Sequence, residues 1–490
     1  MDKFTEKNGV GQLTLTFWLD ESPKDDTQET QDNGPCASPT PSEVKSKPER
    51  KRKWHSLTDK VYSPGNLQAA WKRVQENAGA PGMDGITIRQ FARDGERRLG
   101  ELHADLRAKT YRPDPVRRVF IPKSRGGKRP LGIPNVRDRI VQQALLQVLS
   151  PIFEGKFSPR SHGFRPKMGC ATALGVVDQA LRHGYSWVVD ADIRAFFDTM
   201  DHEKLLALVN EEVADGSVLR LLRQILKAGV VMPGVAEVEP TELGAPQGGP
   251  LSPLLANIYL HPLDERLTQA HFGLVRYADD FVIFARSEIE ARQAFSLARE
   301  VLEGELRLSL HPEKTRVVSV HTGFEFLGFH YFRDPEKGVQ YKEVRRKSVA
   351  RFRDAVRGRT PRLIAQRRVK RKHLTINRLR RNERVQAMLK GLNGFLRGWH
   401  WYFKSHRSRY ASALDRFDGY VRQRLRSAIV GRVGCGWWNV APVEQLPAHD
   451  RLYVALRPGQ TVPHRSAGRS RPEGLIDGEP YAGKPHVRFG

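Results

Sequence analysis

Asp279 and Asp280 stand side by side between two apolar runs, Leu274-Val275 and Phe281-Val282-Ile283-Phe284. That spacing predicts a hairpin with both carboxylates at its turn. Asp190 and Asp192 close a third apolar run, Trp187-Val188-Val189, and two residues apart they share one face of a strand. Carboxylates gathered from separate strand ends repel one another unless a cation lies between them. Hard oxygen donors with open positions suit Mg2+, which keeps waters and takes substrate phosphates as further ligands. Two such ions about 3.5–4 Å apart would activate a 3′-hydroxyl and stabilise a departing pyrophosphate. A bare Asp-Asp pair is more often an ordinary polar turn. Here Tyr277 before it and the Phe281–Phe284 run after it favour chemistry.

The elements that must position these groups are legible from periodicity. Residues 1–53 read as a disordered extension, rich in Asp, Glu, Ser, Thr and Pro from residue 20 and ending in Arg50-Lys51-Arg52-Lys53. A first ordered region, 54–185, carries helical spacing from Leu67 to Val74 and strands over 116–121 and 130–134. A loop joins those strands, and a helix follows through Ile140, Ala144, Leu145 and Val148. In the second region, 186–335, short strands alternate with helices. The pattern predicts a strand at 187–189, helix over most of 202–226, an amphipathic helix over 288–305 and one last strand over 324–331. A third region, 341–435, repeats Val385, Met388, Leu389, Leu392, Phe395, Leu396, Trp399, Tyr402 and Phe403 at helical steps. Gly391, Gly394 and Gly398 lie within it and predict a break or a close backbone approach. Residues 436–490 read as a loosely built tail with DNA binding as its conceivable role.

Composition narrows the class. Of 490 residues, 39% are hydrophobic, with 22 Phe, 12 Tyr and 8 Trp, which excludes wholesale disorder. No apolar run approaches the length of a spanning helix, so no membrane partner is expected. The first residues lack the pattern of a secretory signal, and a cytoplasmic, nucleoid-associated location is expected. Cys36, Cys170 and Cys435 are odd in number and far apart, which argues against disulfides or a Cys-pair zinc site.

Net charge is +27, and its placement matters more than its size. Residues 341–430 hold 27 Lys and Arg against 5 Asp and Glu, whereas residues 1–50 hold 6 against 10. A basic module on a near-neutral body is the footprint of a polyanion binder.

Six blocks in order carry a resemblance. Gly127-Lys128-Arg129-Pro130-Leu131-Gly132-Ile133-Pro134, Ser161-His162-Gly163-Phe164-Arg165-Pro166 and Asp192-Ile193-Arg194-Ala195-Phe196-Phe197-Asp198 come first. Pro246-Gln247-Gly248-Gly249-Pro250-Leu251-Ser252-Pro253, Tyr277-Ala278-Asp279-Asp280 and Phe326-Leu327-Gly328-Phe329 follow. Together they resemble the motifs of reverse transcriptases encoded within group II introns, over residues 55–435. The fold this implies is α+β: a right-hand polymerase with fingers, an antiparallel palm sheet with helices, and an α-helical thumb or maturase domain X.

The resemblance also implies roles, residue by residue. Asp192, Asp279 and Asp280 match the catalytic carboxylates that bind Mg2+, with the carbonyl of Ile193 as a further ligand. Asp190 is the neighbour that could be mistaken for Asp192. Phe197, five residues on, matches the steric gate that excludes a ribose 2′-hydroxyl. Lys123 and Arg129 match residues that grip the dNTP triphosphate, where Arg offers a planar fork and Lys a point charge. Gln247 and Gly248 match the wall beside the incoming nucleotide, and Lys314 matches a lysine placed to protonate pyrophosphate. Arg165, Arg397, Trp399 and Lys404 are the implied RNA contacts, although bundle core is the commoner fate of a tryptophan in such a helix.

The function implied is an RNA-directed DNA polymerase of a group II intron. It would bind the intron RNA, assist its splicing as a maturase, and copy it into DNA from a target primer with dNTPs. The Cys-paired endonuclease common in that family is not expected here. Two alternatives share the same residues: a splicing cofactor with a vestigial polymerase, and a host-adopted, free-standing reverse transcriptase in defence or repair.

Overall fold

The computed structural model describes residues 53–122, 128–232, 234–235, 237–361 and 383–404, with short runs between 416 and 428. The expected extension up to Arg52, the tail from 436 and Lys123 lie outside the described residues.

Four helices open the described chain: α1 (Thr58–Tyr62), α2 (Pro64–Asn77), α3 (Ile88–Arg93) and α4 (Gly95–Arg107). Strands β1 (Val116–Pro122) and β2 (Lys128–Ile133) follow, then α5 (Val136–Glu154). The strands form an antiparallel pair running from Arg117 opposite Ile133 to Pro122 opposite Lys128. Leu67, Trp71 and Val74 of α2 share a buried core with Ile140, Val141, Ala144 and Leu145 of α5. Beneath the strands the Tyr111 hydroxyl donates to Asp138 Oδ1 at 2.6 Å and the Asp114 N–H to Oδ2 at 3.3 Å. Burial pushes the Asp138 carboxyl up to about 6.

After α6 (Cys170–Arg182) comes β3 (Trp187–Asp192), followed by α7 (Phe196–Thr199), α8 (His202–Glu212) and α9 (Gly216–Leu226). The expected helical stretch is thus two helices, and Asp215 is the reason for the break. Its carboxylate caps α9 through the N–H groups of Ser217 and Val218 and also accepts from those of Leu57 and Thr58. Two short strands, β4 (Val230–Val231) and β5 (Val238–Glu239), extend the first sheet to the order β2-β1-β4-β5. Helix α10 (Ser252–Gln269), β6 (Gly273–Tyr277), β7 (Asp280–Ala285), α11 (Glu288–Arg299) and β8 (Arg316–Ser319) complete this part. The helix predicted over 288–305 widens after Arg299 into a π-helical segment, Glu300–Glu305.

Strands β6-β7-β3-β8 form one antiparallel sheet in that order. Its central strands are apolar on both sides because both sides are covered. Val189, Ala191, Phe281, Ile283 and Ala285 face the core built by α10 and α11. Val188, Val275, Val282 and Phe284 face a second core with α6.

That second core is completed by β9 (Phe324–Phe326), β10 (Phe329–Arg333), β11 (Gln340–Val344), α12 (Arg346–Arg359) and α13 (Glu383–Lys404). The single strand expected over 324–331 is in fact two. The chain reverses at Leu327-Gly328, where φ is +43° and +86°, and Phe326 pairs with Phe329 across the turn. Helix α13 likewise runs unbroken. Among the described residues, a Cβ at Gly391, Gly394 or Gly398 would meet nothing within 4 Å. Trp399 packs the helix against α12, 4.9 Å from the Phe352 ring. No described helix is long and apolar enough to cross a membrane.

Candidate active site

The hairpin turn between β6 and β7 has two residues, Ala278 and Asp279, closed by Tyr277 opposite Asp280. Ala278 sits at φ +58°, a conformation that usually requires glycine at that position of a hairpin. Across the next strand Asp280 pairs directly with Asp192. Cross-strand partners share a face, and Asp190 lies two residues along from Asp192. Asp190, Asp192 and Asp280 therefore extend the face that carries Val188, Val282 and Phe284, where the apolar sequence gives way to carboxylates. Asp279 is buried at the turn itself.

Each carboxylate has a distinct electrostatic setting. Burial, reinforced by the charges of Asp190 and Asp192, pushes Asp280 up to about 7. Asp190 rises to about 6, mainly by burial and against the pull of Arg316, whose guanidinium lies 3.2 Å away. Lys314 Nζ is 2.5 Å from Asp192 Oδ2. Two cations on the β8 side thus face two carboxylates on β3. Just past β3 the Asp192 carbonyl accepts the His311 N–H at 2.8 Å, while the Arg194 N–H donates to Ser309 at 2.8 Å. This bridge does not engage the Ile193 carbonyl.

Among the described residues no three Asp, Glu, His or Cys side chains stand close enough, as arranged, to hold a metal ion. The donor set nevertheless fits a hard divalent cation: Asp192 and Asp280 stand directly opposite each other with Asp279 next in the chain, and repulsion among carboxylates is what a shared cation relieves.

The floor beside them is built by close backbone approach. Phe197 is half-buried at the start of α7, its ring 5.1 Å from Phe196, and its carbonyl accepts the Ala245 N–H at 2.8 Å. The Gln247 carbonyl accepts the Gly132 N–H at 2.8 Å. Gly248 has φ +128°, and a Cβ there would lie 2.5 Å from the Gly132 oxygen. The loop carrying Gln247 is thereby locked to β2. Arg129 lies on that strand opposite Ile121, with its side chain outside the described part.

Two of the four expected RNA contacts are placed elsewhere. Arg165 is buried, its guanidinium bound to Glu154 at 2.9 Å and to the carbonyls of Ser158 and Ser161 at 2.5 and 2.9 Å. It fastens the loop beneath the hairpin instead of facing a ligand. Trp399 is 3% exposed within the aromatic core. Arg397 and Lys404 are exposed on α13, and the tryptophan that does face outward is Trp401, at 73% exposure.

Sequence reasoning missed the residues under the turn. Arg276 is fully buried beside Tyr277 and bonded to Asp264 and Asn257 of α10. An arginine inside the apolar run Leu274-Val275-Arg276 was the available signal, since a buried charge needs a partner.

With this geometry in view, comparisons place the chain. It belongs to the reverse transcriptase (RNA-dependent DNA polymerase) family, whose model matches residues 121–331. The chain is 34% identical over 327 residues to protein YkfC of Escherichia coli, a match covering 58% of this chain and 84% of that protein. It is 39% identical over 210 residues to the group II intron-encoded protein LtrA of Lactococcus lactis, covering 43% of this chain. That match spans only 34% of LtrA. A solved structure, the partial Cas6-RT-Cas1–Cas2 complex, aligns with 51% of this chain and 43% of that chain at 24% identity and a TM-score of 0.32.

Proposed function

We propose that the protein copies RNA into DNA at the carboxylate cluster of the β3–β7 sheet. The observation that carries this reading is Asp192 lying directly opposite Asp280 beside the hairpin turn. Asp192, Asp279 and Asp280 would hold Mg2+, with the Ile193 carbonyl as a further donor. Bound there, Mg2+ would supply activation of the primer 3′-hydroxyl and neutralise charge on the departing pyrophosphate. Phe197 limits space at the sugar, the glycines at 248 and 249 let backbone approach the nucleotide, and Lys123 and Arg129 grip the triphosphate. Lys314, within reach of Asp192, is the group placed to deliver a proton to pyrophosphate.

The setting favoured is a free-standing polymerase. Similarity to YkfC runs through most of that protein, whereas similarity to LtrA is confined to a third of its length. Intron-specific activities therefore have less to rest on. The maturase reading keeps one support, the 27 basic against 5 acidic residues of 341–430, which would suit a large structured RNA.

Primer extension by the purified chain on an RNA template with dNTPs and Mg2+ tests the polymerase. Loss of extension in Asp192→Asn is expected, and undiminished extension in that variant would overturn the site. Sequencing the RNA that co-purifies from the native host separates the settings. A mixed RNA pool or a short dedicated template fits the free-standing polymerase, and one structured RNA with intron ends fits the maturase.

A further inference from the structure

The catalytic turn is strained, and the structure beneath it is unusually expensive. Ala278 holds a left-handed conformation without glycine's freedom, and such a residue persists only where its surroundings over-determine it. Three contacts do so. Arg276 Nη1 donates to the Ala278 carbonyl at 3.0 Å. Gly163 lies so close that a Cβ there would be 2.4 Å from the Ala278 nitrogen. Asn257 ties the two sides together, donating to the Gly163 carbonyl at 2.8 Å while its Oδ1 accepts from Arg276 at 3.1 Å.

The arginine is in turn fixed by Asp264, with Nε to Oδ1 at 2.7 Å and Nη2 to Oδ2 at 2.5 Å. Both side chains are completely excluded from solvent. Its backbone is pinned as well: the His162 N–H donates to the Arg276 carbonyl at 2.8 Å and the Arg276 N–H to Arg160 at 2.9 Å.

A pair of ions so deeply buried is a poor source of stability. Desolvation consumes most of the Coulomb attraction, and well-packed apolar replacements are commonly neutral or stabilising. What an apolar pair cannot do is donate a hydrogen bond to the Ala278 carbonyl. We propose that Arg276, held by Asp264 and Asn257, is a positioning residue that clamps the Ala278 carbonyl and so aims Asp279 and Asp280 into the polymerase site. This inference rests on the polymerase reading above.

The test compares wild type with Arg276→Lys, with the apolar exchange Arg276→Met/Asp264→Leu, and with Arg276→Lys/Ala278→Gly. Each is followed by thermal unfolding and by steady-state dNTP incorporation on an RNA primer-template. Misaimed carboxylates should cost about 100-fold in kcat. The dNTP KM should stay within about threefold, because binding groups are untouched. The apolar exchange should unfold no earlier than wild type and yet share the kcat loss. Glycine at 278 takes the turn conformation without a clamp, so the Lys/Gly variant should regain at least about tenfold in kcat over Arg276→Lys. A folded apolar exchange with wild-type kcat would overturn the proposal. Should that variant fail to fold, absence of rescue by Ala278→Gly overturns it instead. An inactive wild type would be a different failure, that of the polymerase reading itself.

Discussion

Lys314 places its ammonium 2.5 Å from the Asp192 carboxylate, so a tethered cation occupies the ground that a divalent ion would share. In the polymerase reading Asp192 would help hold Mg2+, and Lys314 would be left to protonate pyrophosphate. Replacing Lys314 by Met should slow single-turnover incorporation by about 10²-fold, the scale of a lost general acid, with little change in dNTP affinity. Rapid-quench primer extension measures both quantities.

Asp279→Ala together with Asp280→Ala should lower extension by roughly 10³-fold or more, since several kcal/mol of transition-state stabilisation depend on these carboxylates. The fold should survive, because the substitution relieves repulsion among Asp190, Asp192 and Asp280. Circular dichroism alongside gel-based extension separates the two effects.

Phe197→Ala should open the sugar site and raise rNTP relative to dNTP incorporation by about 10- to 100-fold, the discrimination that an apolar wall supplies. Competition between a ribonucleotide and its deoxy counterpart on one template reads this ratio directly. Unchanged sugar selectivity would remove Phe197 from the role of gate.

Asp138 offers a check on folding free of the catalytic groups. Its folded carboxyl titrates at about 6, above the ordinary value of 3.8. The folded state therefore binds the proton more tightly than the unfolded chain does. Stability contributed by this group is greatest at low pH and is lost as pH rises from about 4 to about 6. Asp138→Asn should flatten that segment of the melting-temperature profile relative to wild type. Identical slopes for both proteins would show that Asp138 is ionised in the fold.

The two tryptophans of α13 should behave oppositely. Trp399→Ala empties a site among Phe352, Phe395, Phe403 and Phe417 and should destabilise by about 3–5 kcal/mol. Trp401→Ala should leave stability within about 0.5 kcal/mol. If a base stacks on its exposed ring, RNA affinity falls by about 1–3 kcal/mol. Denaturant melts and filter binding at fixed salt resolve the pair.

How much could be read beforehand follows from the kind of signal each residue leaves. The Asp279-Asp280 hairpin and the strand ending at Asp192 were legible because alternation between apolar and acidic residues is local. The turn at Leu327-Gly328 was not, since Phe324, Phe326, Phe329 and Tyr331 run through it without a polar loop between and a single glycine was its only mark. Periodicity put Trp399 among the helix's apolar repeats, yet Trp401 two residues away could be separated from it only by seeing which side faces Phe352. Arg165 and Arg276 look like ligands for phosphate in one dimension. Only the fold reveals Glu154 and Asp264 waiting for them.

A hydrogen bond joins the basic helix to the β9–β10 hairpin. The Tyr402 hydroxyl donates to the Leu327 carbonyl at 2.7 Å, at the tip of the β9–β10 hairpin whose Phe324 lies 6.0 Å from Phe284 of the catalytic sheet. In the polymerase reading, a helix carrying a duplex would be pushed each time that duplex advanced by one base pair. Such a push would reach the Leu327 tip through this bond and through Phe329, whose ring lies 6.0 Å from Tyr402 and 5.0 Å from Phe403. The tether would then make α13 a gauge of strand position as well as a handle, with the hairpin as its needle.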